Sequence, residues 1–229
     1  MPRMARVVIP GWPHHVSQRG NHRQTVFHGD LDHEIYLHLL EKYLRSYHAE
    51  LIGYCLMGNH VHLIAIPDNP TSLSKGIGRA NNDYSRWQNI RLDRVGHLWQ
   101  ARFYSCPVEI EEIWKVLAYV ELNPVRAKLV KKPQDWKWSS ACAHLTGMNE
   151  TGLLNMELWD VLFSPLSWTA FLQQRQNEME FLQEIRTATE SGRPIAGPET
   201  IKGLERQLNR TLRPQRRGPK GNPPQSATF

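Results

Sequence analysis

Apolar and polar positions along the chain fall into segments of alternating strand-like and helix-like period. The segment "HHVSQRGN" (14–21) reads as a first strand. Asp30 or Asp32 can then cap a helix that turns Ile35, Leu39, Leu40, Tyr43, Leu44 and Tyr47 inward at helical spacing. Two β-prone runs follow, "ELIGYCLM" (50–57) and a run opening "HVHLI" (60–64), and Gly58-Asn59 between them supplies the positive-φ residues of a tight hairpin. A polar helix is expected from near Ser72 to about Gln88, and a fourth strand over 97–109. A further helix starts near Glu111 and stops at Asn123-Pro124, because proline disfavours helical geometry in the residue before it. Strand, helix, hairpin, helix, strand, helix describes an α+β fold, an antiparallel sheet with helices packed on one face.

After Gly147 the pattern changes. A helix is expected over about Ser167 to Thr187, and Pro198 opens a short amphipathic helix, "ETIKGLERQLNR". The final stretch, "RPQRRGPKGNPPQSATF", is rich in proline and basic residues, without an apolar run, and is expected to be flexible. The chain therefore reads as a sheet domain (1–147), a helical accessory segment (148–212) and a basic tail (213–229). Helices before a basic tail fit either a DNA-binding module or a helical packing extension.

Composition narrows the function classes. With 229 residues, 40% hydrophobic and 22% charged, the chain is that of a soluble globular protein, and no stretch approaches the roughly 18 apolar residues of a membrane span. The N-terminal "MPRMARVVIPGWPHH" is too poor in apolar residues for a signal peptide, so a cytoplasmic location is expected. Cys55, Cys106 and Cys142 lack Cys-x-x-Cys spacing and read as buried thiols in a reducing compartment. The net charge of +6 sits entirely at the C-terminal end: from Arg186 onward nine Lys/Arg face three Glu, while residues 1–185 carry 19 of each sign. A basic tail on a neutral body is compatible with contacts to a phosphate backbone, and equally with a solvated tail.

Two constellations carry candidate chemistry. Side chains alternate along a strand, so His60 and His62 share one face and form a two-pronged nitrogen donor near a hairpin end. The plainer alternative is a pair of imidazoles packed at a sheet rim. In the helix before Pro124, the apolar stripe Ile110, Ile113, Trp114, Leu117 and Val120 leaves Tyr119 pointing about 160° away, with Asn123 one turn further along the same face. Taken alone, that pair is a surface tyrosine beside a helix-ending asparagine.

His-hydrophobic-His followed by a helix carrying "YVELNPVRAKLV" resembles the single-tyrosine HUH transposases, and within them the REP-associated tyrosine transposases of bacteria, an IS200-like family. Matching phrases occur in the family's order: "RGNHRQTVF" (19–27), "LMGNHVHLI" (56–64), "GHLWQARFYS" (96–105) and "WKWSS" (136–140). Gly58 departs from the family, which usually has proline there. The resemblance implies a ferredoxin/RRM-like sheet with helices on one face and a helical C-terminal extension, the catalytic domain being 1–147. It implies that His60, His62 and Asn123 hold a divalent cation, Mg²⁺ or Mn²⁺, and that Tyr119 is the nucleophile. The reaction implied is transesterification of single-stranded DNA through a 5′-phosphotyrosine, at repetitive extragenic palindromes. The partner is then a DNA hairpin with a short flanking recognition sequence, in the nucleoid of a bacterium; monomer and homodimer stay open.

Arg19, Arg23, Arg79, Arg86, Arg102 and Arg126 lie in or near family-like phrases and are candidates to grip phosphates. Trp87 and Trp99 are candidates for base stacking, with a core role as the plainer reading. His14, His15, His22 and His97 show no partner spacing and receive no role. Two other function classes stay open: a catalytically idle, repeat-binding DNA protein or repressor, and a water-using metal-dependent phosphoesterase. The second normally shows two His-x-Thr/Ser motifs, which this chain lacks.

Overall fold

A computed structural model describes residues 6–149, 152–175 and 179–213. Strand β1 (His14–Arg19) leads into α1 (Asp30–Ser46), then β2 (Ala49–Met57), β3 (His60–Pro67), α2 (Ser72–Arg91) and β4 (Tyr104–Pro107). The strands lie in the order β2-β3-β1-β4, with every neighbouring pair antiparallel. This is the ferredoxin-like arrangement, in which two split β-α-β crossovers interleave and β1 and β3 take the centre. The sheet and fold class expected from the sequence are present.

Strand alternation gives the sheet two different faces. Val16, Tyr54, Leu56, Val61, Leu63 and Ala65 pack against Tyr36, Leu40 and Leu44 of α1 and Leu73, Ile77, Ala80 and Tyr84 of α2. The second face carries Ile52, Cys55, Met57, Ile64 and Cys106, and it too is covered by helices. One covering helix is α3 (Ile113–Glu121), entered through a 3₁₀ turn at Ile110–Glu112. Helices therefore lie on both faces, because α3 is apolar nearly all round: Ile113, Val116, Leu117, Ala118 and Val120 are all buried. Of the stripe expected there, Ile110 is exposed and Trp114 half-buried.

Residues beyond 147 complete that second layer. Helices α4 (Asn123–Arg126), α5 (Ala141–Thr146), α6 (Glu157–Leu162), α7 (Pro165–Arg175) and α8 (Met179–Ser191) follow α3. Trp168, Leu172, Leu182 and Ile185 join the core of α3, and Ile195 bridges in parallel to Val108 beyond β4. Buried Glu121 ties the layer together, accepting hydrogen bonds from Ser140 Oγ (2.6 Å), His144 Nδ1 (2.5 Å) and Trp168 Nε1 (2.9 Å). The compact unit runs to Ala196, so most of the segment expected to be accessory belongs to the sheet domain's body. A second unit begins at Gly197. Within it, α9 (Pro198–Leu208) ends at Asn209 in the left-handed region, and Glu205 pairs with Arg213 at 2.7 Å. The expected tail after Arg213 lies outside the described residues.

Several local expectations change. The helix expected over 167–187 is two helices, α7 and α8. In α1 the buried apolar positions are Tyr36, Leu37, Leu40 and Leu44, with Ile35, Leu39 and Tyr43 at the margin of that face and Tyr47 beyond the helix. Neither Gly58 nor Asn59 has positive φ. The hairpin is instead clasped from outside, the Gly58 carbonyl accepting the Val26 and Phe27 N–H groups and the Asn59 carbonyl that of Gly20. The fourth strand has only four residues. Upstream, 98–101 runs beside the end of β1 through irregular bonds, with Asn21 N–H to Leu98 O, Gln100 N–H to Arg19 O and the Gln18 side chain to Ala101 O. Cys55 and Cys106 are buried as expected, whereas Cys142 is partly exposed.

Candidate active site

On the second face, His60 and His62 of β3 and His15 of neighbouring β1 form a run of three imidazoles. His60 and His62 meet edge to face with centroids 5.1 Å apart, and His62 stacks on His15 at 5.1 Å. Tyr119 of α3 closes the group from above, 5.4 Å from His62 and 5.6 Å from His15. The tyrosine does lie off the apolar stripe of its helix. It is nevertheless only 4% exposed, because the direction that looked outward in the helix alone faces the sheet. None of the described residues hydrogen-bonds its hydroxyl.

These side chains line a cavity of about 740 Å³ shared with Ser17, Arg19, Arg23, Asn59, Gln100, Tyr104, Arg186, Thr189 and Glu190. Of the candidate residues, the structure thus brings together His60, His62, Tyr119, Arg19 and Arg23. Arg19, Arg23 and Arg186 are exposed and form no ion pair among the described residues, so the cavity's polar wall has cationic edges. Beside it, His22 and Arg23 hold successive left-handed conformations (φ 49° and 61°). Such strain in non-glycine residues persists only where surrounding contacts enforce it, here Arg23 N–H to Gly20 O (3.0 Å) and Asn59 Nδ2 to Arg23 O (3.2 Å).

The remaining candidates lie elsewhere. Arg79, Arg86 and Arg102 line a second cavity, about 1000 Å³, between α2 and the 96–103 segment. Gln100 lines both cavities. Arg126 is not a free phosphate grip: it donates to the Tyr119 main-chain carbonyl (2.5 Å), and its guanidinium sits 4.9 Å from the Tyr119 ring centroid. Burial pulls its pKa down to about 10. Trp99 is buried, its indole N–H bonded to Asn81 O (3.1 Å), and Trp87 packs half-buried on Tyr84.

Asn123 has a role in the helix break. Pro124 has no N–H, so the Val120 carbonyl loses its helical donor. The Asn123 side-chain amide replaces it, donating to Val120 O (3.2 Å) and Tyr119 O (3.0 Å). Asn123 is not among the residues lining the tyrosine cavity.

The imidazole pair suits a cation. Burial, and next the Arg19 charge, press the His60 pKa down to about 4; burial, reinforced by His60 and His15, holds His62 well below its usual value. Both rings are thus neutral at pH 7, as a metal ligand requires. His60 Nδ1 lies 2.6 Å from Asn59 Oδ1, an atom that can only accept, so the ring proton is on Nδ1 and the Nε2 lone pair is available. Among the described residues no group of three or more His, Cys, Asp or Glu side chains is arranged to hold a metal ion. Further ligands would therefore be amide, water or phosphate oxygens.

His15, Thr189, Arg186 and Glu190 were missed in the sequence. Only strand register reveals His15: it lies on the same face as His62 once β1 pairs with β3, Ser17 opposite His62. The three α8 residues gave no signal, being about 130 positions from the histidine pair in the sequence.

An antiparallel sheet presenting paired histidines to a helix-borne tyrosine defines the class of site. Residues 12–123 match the family described as "Transposase IS200 like". Among solved structures it is similar to one titled "Structure of the REP associates tyrosine transposase bound to a REP hairpin", with 18% identity, a TM-score of 0.52, and coverage of 69% of this chain and 90% of that one. No curated protein matched the chain.

Proposed function

We propose that the protein is a DNA strand transferase that cleaves and rejoins single-stranded DNA at repetitive extragenic palindromes, using Tyr119 as nucleophile. The observation that carries this reading is the placement of Tyr119 in one cavity with His60, His62 and exposed arginines, its hydroxyl free of hydrogen bonds among the described residues. The solved relative with a bound REP hairpin supports a hairpin as partner.

In this reading Arg19, Arg23 and Arg186 hold the phosphodiester by its charge and limit its orientations. The Tyr119 oxygen attacks phosphorus, its proton passing to water in the open cavity. The bond to the 3′ oxygen breaks, that oxygen takes up a proton, and the 5′ phosphate stays on the tyrosine. Bond energy is retained, so a 3′-hydroxyl can reverse the step and rejoin a strand. Arg126, over the ring, offsets negative charge gathering near the phenolic oxygen. A divalent cation, Mg²⁺ or Mn²⁺, on Nε2 of His60 and His62 would supply Lewis-acid polarisation of a phosphate oxygen. Nitrogen donors favour Mn²⁺ by affinity. Asn123 Oδ1 is the proposed third ligand, and unchanged Mn²⁺ affinity in Asn123→Ala would remove it. The second cavity, which Gln100 also lines, offers Arg79, Arg86 and Arg102 to the flanking strand.

The test is incubation with a labelled single-stranded palindrome and Mn²⁺, followed by denaturing electrophoresis. A protein-DNA adduct is expected. Hairpin binding without an adduct would point to a catalytically idle DNA-binding protein, and a free 5′-phosphate without an adduct to a water-using phosphoesterase.

A further inference from the structure

Helix α8, outside the family-matched span, reaches the site with Arg186, Thr189 and Glu190, and Thr189 bonds one of its imidazoles. Thr189 of α8 donates its hydroxyl proton to the Ile185 carbonyl at 2.7 Å, the usual back-bond of a helical threonine. A hydroxyl has a single proton, so toward His15 Nδ1, also 2.7 Å away, Thr189 Oγ1 can only accept. The ring proton of His15 therefore sits on Nδ1. Its Nε2 is then an acceptor, and the group it faces at 3.0 Å is Nδ1 of His62, which must be the donor. The direction of each bond follows from the one before it. His62 is left with its proton on Nδ1 and its Nε2 lone pair outside the relay.

From this we propose that Thr189 and His15 are positioning residues that fix the tautomer and ring orientation of His62, so that α8 completes the site on the sheet. The inference rests on the reading of His60 and His62 as ligands in its consequence for metal, but the proton assignment is independent of it. Asn59 does the same for His60 from within the hairpin turn. The two rings thus present matching Nε2 atoms through unrelated partners, one next in sequence and the other brought by the fold. His15 is buried, so the relay is shielded from water. Partners of this kind on a ligand's second nitrogen typically change metal affinity about 10- to 100-fold when removed.

The experiment uses the full chain labelled with ¹⁵N-histidine and long-range ¹H–¹⁵N correlation spectra without metal, alongside Mn²⁺ titration. The wild type should show His15 and His62 both as Nδ1–H tautomers. Thr189→Val keeps the β-branched shape but removes the acceptor, and should convert His15 to a tautomer mixture and weaken Mn²⁺ binding by about tenfold or more. Thr189→Ser should restore both. An Nε2–H tautomer or a doubly protonated ring at His62 in the wild type would overturn the proposal. So would unchanged spectra in Thr189→Val, or failure of Thr189→Ser to restore them. If the wild type neither binds Mn²⁺ nor forms a DNA adduct, the proposed function fails, while the tautomers of the metal-free protein still decide this inference.

Discussion

The two faces of the central strands are built from adjacent residues and do opposite things. On one, Val16, Val61 and Leu63 are fully buried under α1 and α2. On the other, one position along, His15, Ser17, His60 and His62 open into a cavity beneath Tyr119. On the first face a polar group is buried only with a partner, as His14 has Trp12 O and Gln18 has Ala101 O. The second tolerates buried imidazoles because each has one: Asn59 for His60, His15 for His62 and Thr189 for His15. The adjacent histidines of β1 make the same contrast at single-residue range. His14 is bound locally, to Trp12 O and the Ile9 N–H, whereas His15 is bound across the molecule. A strand is thus a device for placing chemistry and packing on alternate residues, and a change on one face should leave the other's property largely intact.

The sharpest break concerns the cavity face alone. Tyr119→Phe should abolish the covalent adduct while hairpin affinity stays within a few-fold, since only a hydroxyl without a hydrogen-bond partner among the described residues is removed. Cleavage near the wild-type rate would dispose of Tyr119 as nucleophile.

The converse change is on the packed face. Leu63→Ala should lower stability by about 2–5 kcal/mol through reduced burial and the cavity left behind, measured by urea unfolding. His62→Gln, one residue away, should cost far less stability yet lose Mn²⁺ binding. Equal stability losses in the two variants would argue that the faces are not energetically distinct.

Acid should test both faces together. Burial holds His14 down to about 4 and His15 to about 3, below the ordinary 6.5 they regain on unfolding. The unfolded chain therefore binds more protons below pH 6.5. Stability is full above that pH and falls as pH drops toward 4, each histidine contributing a slope of up to about 1.4 kcal/mol per pH unit. A urea midpoint that stays flat from pH 6.5 to 4.5 would count against neutral burial.

The charge asymmetry moves with the structure. Because α8 lines the site, the cut separating the tail from the site belongs after Ala196, where the first compact unit ends. Residues 197–229 carry seven Lys/Arg against two Glu, five of the six net positive charges. Deleting them should preserve adduct formation at saturating DNA and flatten the plot of log affinity against log salt, by about 0.7 for each single-strand phosphate these residues neutralise. An unchanged slope would mean these residues touch no phosphate.

The smallest effect is expected at the turn joining the histidine strand to its neighbour. A Cβ on Gly58 meets nothing within 4 Å, and its φ is not positive. Gly58→Ala should therefore stabilise the protein by about 0.4–1 kcal/mol by restricting the unfolded chain. A lower thermal midpoint would show that the turn needs glycine.

Much of this was legible in the sequence because it depends on local periodicity. The hairpin, the shared face of His60 and His62, the span of α1 and α2 and the break at Pro124 all follow from spacings of one to four residues. The angle of Tyr119 away from the apolar stripe was legible too. What lay in that direction was not, since a helix considered alone cannot show that a sheet faces its polar side. The same limit hid His15, whose position beside His62 is set by the β1–β3 register, and Thr189, delivered 174 residues along the chain from its partner. The chain's own periodicities determined which side chains share a face. Only tertiary packing decided which faces meet, because hydrogen-bond partners distant in sequence are selected by the burial of the elements that carry them.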